Sequence, residues 1–384
     1  PMDQRVVKAM LVYMTEKFGN ASSAHAMGHD AADAVEEARH RTANLIGGSH
    51  KGVFFTSGAT ESINLGLLGA ARFYRDKGNH IITVRTEHPA VLDACRRLEE
   101  EGFEVTYLPV DNYGLLDLKC LSDAITDRTL LISVMYANNE IGTVQDVGSI
   151  GEIARSRGVL FHCDASQAAL TEPIDVDDMK IDLLSFTGHK MYGPKGVGVL
   201  YLGRRRPRVR LDPILFGGGH EQGIRPGTLN VPGIVGMGTA CEIVRTERLD
   251  VRAHLGHLRQ RLYSQFRKRF PEVRLNGHPR NRLPGNLNLT FYGIRAKAML
   301  ETVPEVALST GSACSSAIPK PSHVLNAIGL TPNMAAGTIR FGLGRGNTES
   351  ELDEIIKLLS ERIQEWRRRK EDVAGCTMQD AGQP

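Results

Sequence analysis

The chain has 384 residues, of which 41% are hydrophobic and 24% charged, as in a globular protein long enough for two domains. Its formal net charge of +3 is too small to indicate binding to nucleic acid or to a membrane surface. No uninterrupted apolar stretch approaches the ~20 residues that span a bilayer. The six cysteines are scattered without the spacing of a zinc site or a disulfide framework. We therefore expect a cytoplasmic protein in a reducing environment, without a bound metal.

Apolar strands alternate with amphipathic helices from about residue 19 to residue 245. This alternation predicts an α/β fold with a mostly parallel central sheet and helices on both faces. The predicted strands are 53–55, 80–84, 104–110, 130–136, 159–164, 183–186 and 198–202. The predicted helices between them include 31–46, 61–75, 90–101 and 150–157.

The pattern changes beyond about residue 249 and predicts a smaller α+β domain. Its predicted elements are a long helix at 251–269, strands at 273–275, 286–291, 307–309 and 338–343, and a final helix at 349–369. We assign residues 16–247 to the large domain, and 1–15 with 248–370 to the small one. Residues 371–384 are polar and without periodicity, so we expect a disordered tail.

A lysine follows the predicted strand 183–186. Lys190 lies at the mouth of a buried strand, where loss of water favours the neutral amine that forms a Schiff base with pyridoxal phosphate. By itself it would be read as a solvated loop lysine. Asp164 ends the preceding strand, where a carboxylate can keep a pyridinium nitrogen protonated or, alternatively, cap a helix. The pair on neighbouring strands favours a pyridoxal phosphate site.

Small residues connect a predicted strand to a predicted helix at 56–62, TSGATES. N–H groups at a helix start attract phosphate, and an ordinary capping box is a compatible alternative. Thr187 and His189 offer further donors to the same anion. His88 follows strand 80–84, so its ring can stack on the cofactor and move protons, although a lone histidine is usually a surface or core residue.

Two residues of the predicted smaller domain have functional side chains in unusual settings. Cys314 lies in the small-residue run 308–316, which we expect to be mobile and to expose the thiol as a nucleophile, unless an exposed cysteine there is incidental. Arg340 interrupts an apolar strand. Its planar fork suits the α-carboxylate of an amino acid, and an internal salt bridge is the alternative.

Taken together, these motifs resemble the pyridoxal-phosphate-dependent cysteine desulfurases, in the long-catalytic-loop class of the fold-type I aminotransferase superfamily. The resemblance extends from residue 1 to about 359. The matching segments are FGN (18–20), TSGATES (56–62), TEHPAVLD (86–93), ANNEIGTVQD (137–146), FHCDASQA (161–168), SFTGHKMYGPKGVG (185–198), GGGHEQGIRPGT (217–228) and STGSACSS (309–316).

The resemblance implies a role for each matching residue. Lys190 holds the cofactor and then removes the substrate α-proton, Asp164 pairs with the ring nitrogen, and His88 stacks on the ring. Asn139 and Gln167 contact ring substituents, and Asn139 also lies at the substrate. The phosphate ligands are Ala59, Thr60, Thr187 and His189, joined by Thr228 from the neighbouring subunit of a homodimer with shared active sites. Arg340 binds the substrate carboxylate, and Cys314 forms the persulfide with a base such as His88 nearby.

The implied function is conversion of L-cysteine to L-alanine, with sulfur passed from Cys314 to a scaffold or carrier protein. An aminotransferase with an incidental Cys314, a selenocysteine lyase and a non-enzymatic sulfur relay are the alternatives, and the lysine–aspartate pair argues against the last. Relatives have a short strand before the proline that is Pro1 here, so we expect residues to precede it. The tail does not resemble the family's scaffold-docking end.

Overall fold

The computed structural model describes residues 1–204, 208–310 and 322–379, with side chains as far as residue 368. These residues form two compact units. The first comprises 1–110, 116–138 and 144–249, and the second comprises 111–115, 139–143 and the chain from residue 250 onward. No described helix is both long enough and apolar enough to span a lipid bilayer.

The first unit is built on a seven-stranded sheet. Its strands are β1 (Val53–Thr56), β2 (His80–Val84), β3 (Glu104–Leu108), β4 (Thr129–Ser133), β5 (Leu160–Asp164), β6 (Leu183–Thr187) and β7 (Gly198–Leu202). They are ordered β1-β7-β6-β5-β4-β2-β3, and β7 runs in the direction opposite to the other six. The prediction of a mostly parallel sheet is confirmed.

Helices alternate with these strands along the chain. They are α1 (Gln4–Thr15), α2 (Ala26–Leu45), α3 (Ala59–Phe73), α4 (Pro89–Glu100), α5 (Leu118–Ala124) and α6 (Val147–Ser156), followed by α7 (Val231–Arg269). The central strands are nearly continuous apolar runs because residues on both sides of a covered sheet are buried. Ile81, Leu131, Leu183 and Leu200 lie in one core cluster with residues of α3 and α4.

The second unit contains a four-stranded antiparallel sheet. Its elements are β8 (Arg274–Asn276), β9 (Asn286–Thr290), α8 (Ala296–Leu300), β10 (Ser309–Thr310), α9 (His323–Ala327), α10 (Pro332–Ala336), β11 (Thr338–Gly342) and α11 (Glu349–Gln379). The strand order is β10-β11-β9-β8. Phe266 is central to the core, with ring centroids 5.3 Å from Phe291 and 5.5 Å from Phe341. The predicted α+β character of this part agrees with the structure.

The N-terminal helix differs from the sequence prediction in its location. Residues 1–15, predicted to belong to the smaller domain, lie in the first unit. Asp3 N donates to the carbonyl of Tyr192 at 2.9 Å, and Arg5 pairs with Glu247. These contacts join residues far apart in the chain, so local sequence patterns contain no sign of them.

Two helices are longer than predicted. Helix α7 begins at Val231, twenty residues before the predicted start. Its first turns contain three glycines that lower helix propensity, yet at Gly238 a Cβ would lie 2.5 Å from the Cα of Ala38, so close packing against α2 requires a glycine there. Helix α11 continues to Gln379, ten residues beyond the predicted end at residue 369 and into the segment predicted to be disordered. Residues 380–384 lie outside the described residues.

Candidate active site

The lysine and aspartate singled out in the sequence lie at the ends of two paired strands of the first unit. In the parallel register of β5 and β6, Asp164 lies opposite Ser185. Strand β6 ends at Thr187, and the next three residues, Gly188–Lys190, form a turn of 3₁₀ helix. Asp164 and Lys190 therefore lie at the same edge of the sheet, the one formed by the carboxyl ends of the parallel strands, where open α/β sheets bind their ligands.

The helix-start motif 56–62 reaches this edge through the strand register. Thr56 pairs with Gly198 of β7, and Gly198 also pairs with Thr187 of β6. A Cβ on Gly198 would lie 2.6 Å from the Cα of Gly58, so the two backbones approach too closely for any side chain. The register thus brings the start of α3 next to the turn that contains Lys190.

The start of α3 is open to a ligand. Gly58 is its N-cap and offers no capping side chain. Ala59 is half-buried and Thr60 exposed in the first turn. Because the first N–H groups of a helix lack partners within the helix, this end favours an anion. Glu61 accepts the N–H of Ser57 at 2.7 Å and so shapes the loop that leads into the helix.

Donors and positive charge surround this helix start. Thr187 Oγ1 lies 2.9 Å from Nδ1 of His189 and donates to the carbonyl of Val197 at 3.1 Å. Partial burial and then the charges of Lys190 and Lys195 lower the pKa of His189. The two lysines near His189 give this region a positive potential, which favours an anion such as phosphate.

Lys190 itself is exposed in this structure. The sequence interpretation expected partial desolvation at the mouth of a buried strand, and the surrounding protein does not supply it. Strand β6 ends at Thr187, and in the turn that follows His189 and Lys190 are exposed, whereas Gly188 and Met191 on either side of them are buried. The functional interpretation of Lys190 is therefore supported by its position beside the open start of α3, and not by burial.

Asp164 is buried beneath the edge, with 5% of its surface exposed. Its Oδ1 accepts the N–H of Ser166 at 2.9 Å. Burial raises the pKa of Asp164, while the bonds from Ser166 and the charge of His88 oppose this change. A buried carboxylate requires a neighbouring positive charge to compensate for its lost hydration. In the described part of the chain, the buried Ser166 Oγ next to it has no hydrogen-bond partner.

His88 caps helix α4, with Nδ1 accepting the N–H of Ala90 at 3.1 Å and its ring exposed. In the neutral ring this bond places the proton on Nε2. The neighbouring Glu87 connects this segment to the residues after β4, because its Oε1 accepts the N–H of Met135 at 2.6 Å. Burial raises the pKa of Glu87 well above its ordinary value. Glu87 was missed in the sequence, although an acidic residue between a buried strand and a helix was a usable signal.

Gln167 and Thr228 complete the predicted residues of the first unit. Gln167 is half-buried just beyond β5, and Thr228 is exposed at the end of segment 217–228. That segment is fixed to the sheet by Glu221, which accepts both Nη atoms of Arg39 and the N–H of Phe55.

A second ion pair fixes the same segment. Arg225 Nε donates to Glu61 at 2.7 Å, and hydrogen bonds from Arg225 and Ser57 keep the pKa of Glu61 low against the effect of burial. Glu61, Arg225 and Glu221 were missed in the sequence as functional residues, although all three fall within the quoted motifs.

The remaining predicted residues belong to the second unit or lie outside the described residues. Arg340 is half-buried in β11, and its Nη1 donates to the carbonyl of Asn139 at 3.2 Å. The contact is to a backbone carbonyl, so it differs from the internal salt bridge that was the alternative. Cys314 is among the residues that the structure does not describe.

These residues fit pyridoxal phosphate. A buried aspartate stabilised by a cation suits a pyridinium nitrogen, a helix start with adjacent donors suits a phosphate, and an exposed lysine between them suits a Schiff base. Only a glycine fits at position 198, and the start of α3 has no side-chain cap.

Comparison with known proteins agrees with this geometry. The family model "Aminotransferase class-V" matches residues 1–355. Cysteine desulfurase IscS of Rickettsia rickettsii (strain Iowa) is 50% identical over 368 residues, covering 96% of this chain and 90% of the relative. The chain belongs to the cysteine desulfurase family of class-V aminotransferases.

Solved structures extend the match to the fold. A NifS-like protein superposes with a TM-score of 0.88 at 37% identity, over 94% of this chain and 96% of that one. The structure of SspA in complex with cysteine has a TM-score of 0.77 and 36% identity, over 91% of this chain and 97% of that one. The fold-type I architecture expected of a cysteine desulfurase is therefore confirmed.

Proposed function

We propose that this protein uses pyridoxal phosphate to convert L-cysteine to L-alanine and carries the released sulfur as a persulfide on Cys314. The observation that carries the proposal is the strand register that places the Lys190 turn beside the open start of α3. Asp164, one strand away, supplies the buried carboxylate. Family membership supports the same chemistry.

The residues that would hold the cofactor are those described above. The start of α3 at Ala59 and Thr60, together with Thr187 and His189, would bind the phosphate, and Asp164 would keep the ring nitrogen protonated. His88 would stack on the ring, and Gln167 and Asn139 would bind its substituents. When bound, pyridoxal phosphate supplies an electron sink for the charge that develops on the substrate Cα.

Lys190 has two tasks in this proposal. Its Nζ would hold the cofactor and, as a free amine, would accept the proton from the Cα of the substrate. The exposed position of Lys190 keeps the amine accessible to substrate. Arg340 would bind the substrate carboxylate, as its planar guanidinium permits. The similar protein SspA was solved in complex with cysteine, which supports cysteine as the substrate.

Cys314 would perform the sulfur step. Its thiolate attacks the sulfur of the bound cysteine, so that an S–S bond forms as the Cβ–S bond breaks. The electron pair of the broken bond stays on carbon, which takes up a proton and leaves as alanine. An unperturbed thiol is largely protonated at neutral pH, so a base such as His88 is needed to form the thiolate. A thiol-bearing scaffold or carrier protein in the cytoplasm would then receive the sulfur.

A homodimer with shared active sites is part of the proposal. An apolar stripe on α1 is exposed, with Leu11 at 53% and Met14 at 61%, and continues to Phe18 at 70%. Exposed apolar patches of this kind mark protein contacts. The adjoining Ser22 lies 3.2 Å from Nε2 of His220 in the segment that ends at Thr228. Thr228 is exposed, and its segment lies close to the chain that follows this apolar stripe, so a partner bound there could be reached by Thr228.

Substitution of Cys314 tests the proposal. Cys314→Ala should bind cofactor normally and still show spectral changes with L-cysteine, but should form almost no alanine or sulfide. Removal of a residue that acts in covalent catalysis costs several orders of magnitude in rate. Lys190→Ala should lose both turnover and the borohydride-trapped cofactor adduct.

Product analysis separates the alternatives. A Cys314→Ala protein that still releases alanine and sulfide at the wild-type rate would contradict the persulfide mechanism. Pyruvate formed from L-alanine would indicate an aminotransferase, and a turnover confined to selenocysteine would indicate a lyase. Mass spectrometry of the wild-type protein after L-cysteine should show one additional sulfur atom on Cys314.

A further inference from the structure

The segment 139–143 of the second unit connects β4 to α6 without helix or strand structure of its own. Its four carbonyl groups from residue 139 to residue 142 nevertheless all accept hydrogen bonds from other parts of that unit. The donors and acceptors are Arg340 Nη1 to Asn139 at 3.2 Å, Asn288 Nδ2 to Glu140 at 3.0 Å, Arg282 Nη2 to Ile141 at 3.2 Å and the N–H of Leu283 to Gly142 at 2.8 Å. The course of this segment is therefore fixed by residues outside it.

Arg282 is the most deeply buried charged donor of this group, with 4% of its surface exposed. Its two Nη atoms make four hydrogen bonds to backbone carbonyls at 3.2–3.3 Å. Burial and then the charge of Arg259 lower the pKa of Arg282 to about 9, and no carboxylate pairs with it in the described part of the chain. A buried guanidinium without an anion is costly, so the four carbonyls must compensate for the hydration it has lost.

One of these four bonds reaches a distant part of the chain. Three of the acceptors lie within six positions of Arg282, whereas the carbonyl of Ile141 is 141 positions away. Thr143 pairs with Arg282 as an antiparallel bridge beside this bond. A Cβ on Gly277 would lie 2.3 Å from the carbonyl oxygen of Ile141, so the two backbones pack too closely for a side chain. Arg282 thus joins the connection between β8 and β9 to the 139–143 segment.

The 139–143 segment begins with the residue that contacts Arg340. The guanidinium of Arg340 donates to the carbonyl of Asn139, and in the sheet Arg340 lies opposite Asn288, which donates to the next carbonyl of the segment. A guanidinium binds a carboxylate through two parallel N–H groups, so its orientation decides whether both bonds form. The position of the Asn139 carbonyl therefore bears on how Arg340 is presented to a substrate.

We propose that Arg282 is a positioning residue for recognition of the substrate carboxylate. It fixes the backbone of the 139–143 segment, so that the carbonyl of Asn139 holds Arg340 in the orientation that binds the carboxylate. This inference rests on the role of Arg340 in the proposed function. All four hydrogen bonds of Arg282 go to protein carbonyls, so it acts through the backbone and not on the substrate.

The test compares the binding of L-alanine and of L-alaninamide to the cofactor-loaded protein, followed by the absorbance of the bound cofactor. The amide lacks the carboxylate charge, so a change in the ratio of the two dissociation constants between variants measures carboxylate recognition. The variants are Arg282→Met, Arg282→Lys and Asn286→Ala. Asn286 is included because its Nδ2 donates to the carbonyls of residues 139 and 140 at 3.4 and 3.3 Å.

Arg259→Met provides a matched control. Arg259 is a half-buried arginine of α7, and burial lowers its pKa as it does that of Arg282. It also donates to a backbone carbonyl, that of Leu283 at 3.1 Å, but it makes no bond to the 139–143 segment. Arg340→Met is the reference for complete loss of carboxylate recognition.

We expect the wild type to bind L-alanine at least about tenfold more tightly than the amide, and Arg340→Met to abolish this preference. Arg282→Met should reduce the preference at least about fivefold by weakening L-alanine binding, with the affinity for the amide changed less than about twofold. Asn286→Ala should reduce it at least about twofold. Arg282→Lys keeps the charge without the planar fork and should lie between the wild type and Arg282→Met. Arg259→Met should retain the wild-type preference.

An unchanged preference in Arg282→Met would overturn the inference. Equal weakening of both ligands would also overturn it, as would the same loss in Arg259→Met, because either result indicates general stabilisation of the unit. If Arg282→Met does not bind cofactor, Arg282→Lys and Asn286→Ala decide by the same criteria. A wild type without preference for L-alanine, or a preference that survives in Arg340→Met, would refute the proposed role of Arg340 and the inference with it.

Discussion

Buried ionisable side chains are the costly residues of this protein, and each described example near the sheet edge has a partner. Asp164 accepts a backbone N–H from Ser166, Glu87 accepts one from Met135, and His162 lies between two hydroxyls. Partners of this kind replace the hydration that burial removes. At the scale of single residues, these hydrogen bonds fix the orientation of the buried side chains near the sheet edge.

His162 gives a pH prediction at this scale. It bridges Ser133 and Ser185 at 2.9 Å on each ring nitrogen, and burial lowers its pKa to about 3. The unfolded chain, with a histidine pKa near ~6.5, binds a proton between these values that the folded chain does not. The contribution of His162 to the free energy of unfolding is therefore fully present above about pH 6.5. Below that pH it decreases by up to ~1.4 kcal/mol per pH unit.

Unfolding in urea at several pH values would measure this effect. His162→Gln should flatten the decline between about pH 6.5 and pH 4, because the glutamine does not titrate. His257→Gln, at an exposed histidine of the second unit, provides the control and should retain the wild-type slope. Equal slopes in all three proteins would show that His162 does not govern the acid sensitivity.

The start of α3, the end of β6 and the start of β7 meet at one edge of the seven-stranded sheet. Their register holds Thr56, Gly198 and Thr187 side by side, and the ion pair of Glu61 with Arg225 connects α3 to the segment 217–228. The proposed phosphate site depends on the arrangement of all three backbones, and their closest approach is at Gly198.

Gly198→Ala should weaken cofactor binding while leaving a folded protein. Its Cβ would lie 2.5–2.6 Å from backbone atoms of Gly58, so the start of α3 must move. Overpacking of this kind costs ~1–3 kcal/mol, which corresponds to an increase of roughly 5- to 150-fold in the dissociation constant of pyridoxal phosphate if the cost falls on the bound state. Titration of the cofactor-free protein by absorbance would measure it. Gly256→Ala in α7, where a Cβ meets nothing within 4 Å, is the control, and equal affinity in both variants would contradict the prediction.

The whole molecule is proposed to act as a homodimer in which Thr228 serves the partner's site. Mixed dimers test this directly. A Lys190→Ala subunit and a Thr228→Ala subunit, each impaired as a pure dimer, should together form one complete site per mixed dimer, because the Lys190→Ala subunit still provides Thr228.

Coexpression with two affinity tags allows the mixed dimer to be isolated. We expect about half of the wild-type specific activity in that fraction, since one of two sites is intact. A mixed dimer no more active than the Thr228→Ala protein would place Thr228 in its own subunit's site. A species that sedimented as a monomer at assay concentration would reject the shared site altogether.

The sequence alone was sufficient to predict the family, the order of strands and helices in the first unit, and the positions of Lys190 and Asp164 at the ends of strands. These features depend on local patterns, because apolar runs, glycine-rich turns and polar residues at strand ends are visible within a few neighbouring residues. Strand 80–84, for example, coincides with β2 at both ends.

Only the tertiary structure could assign α1 to the first unit, reveal the supports of the site and show that Lys190 is exposed. Asp3 with Tyr192, Arg225 with Glu61, and Arg282 with Ile141 are contacts between residues more than a hundred positions apart. Such pairs are selected by the packing of the folded chain, and the local composition around either partner is compatible with many others. For the same reason the early start of α7 was missed, since close packing at Gly238 outweighs the low helix propensity of its glycines.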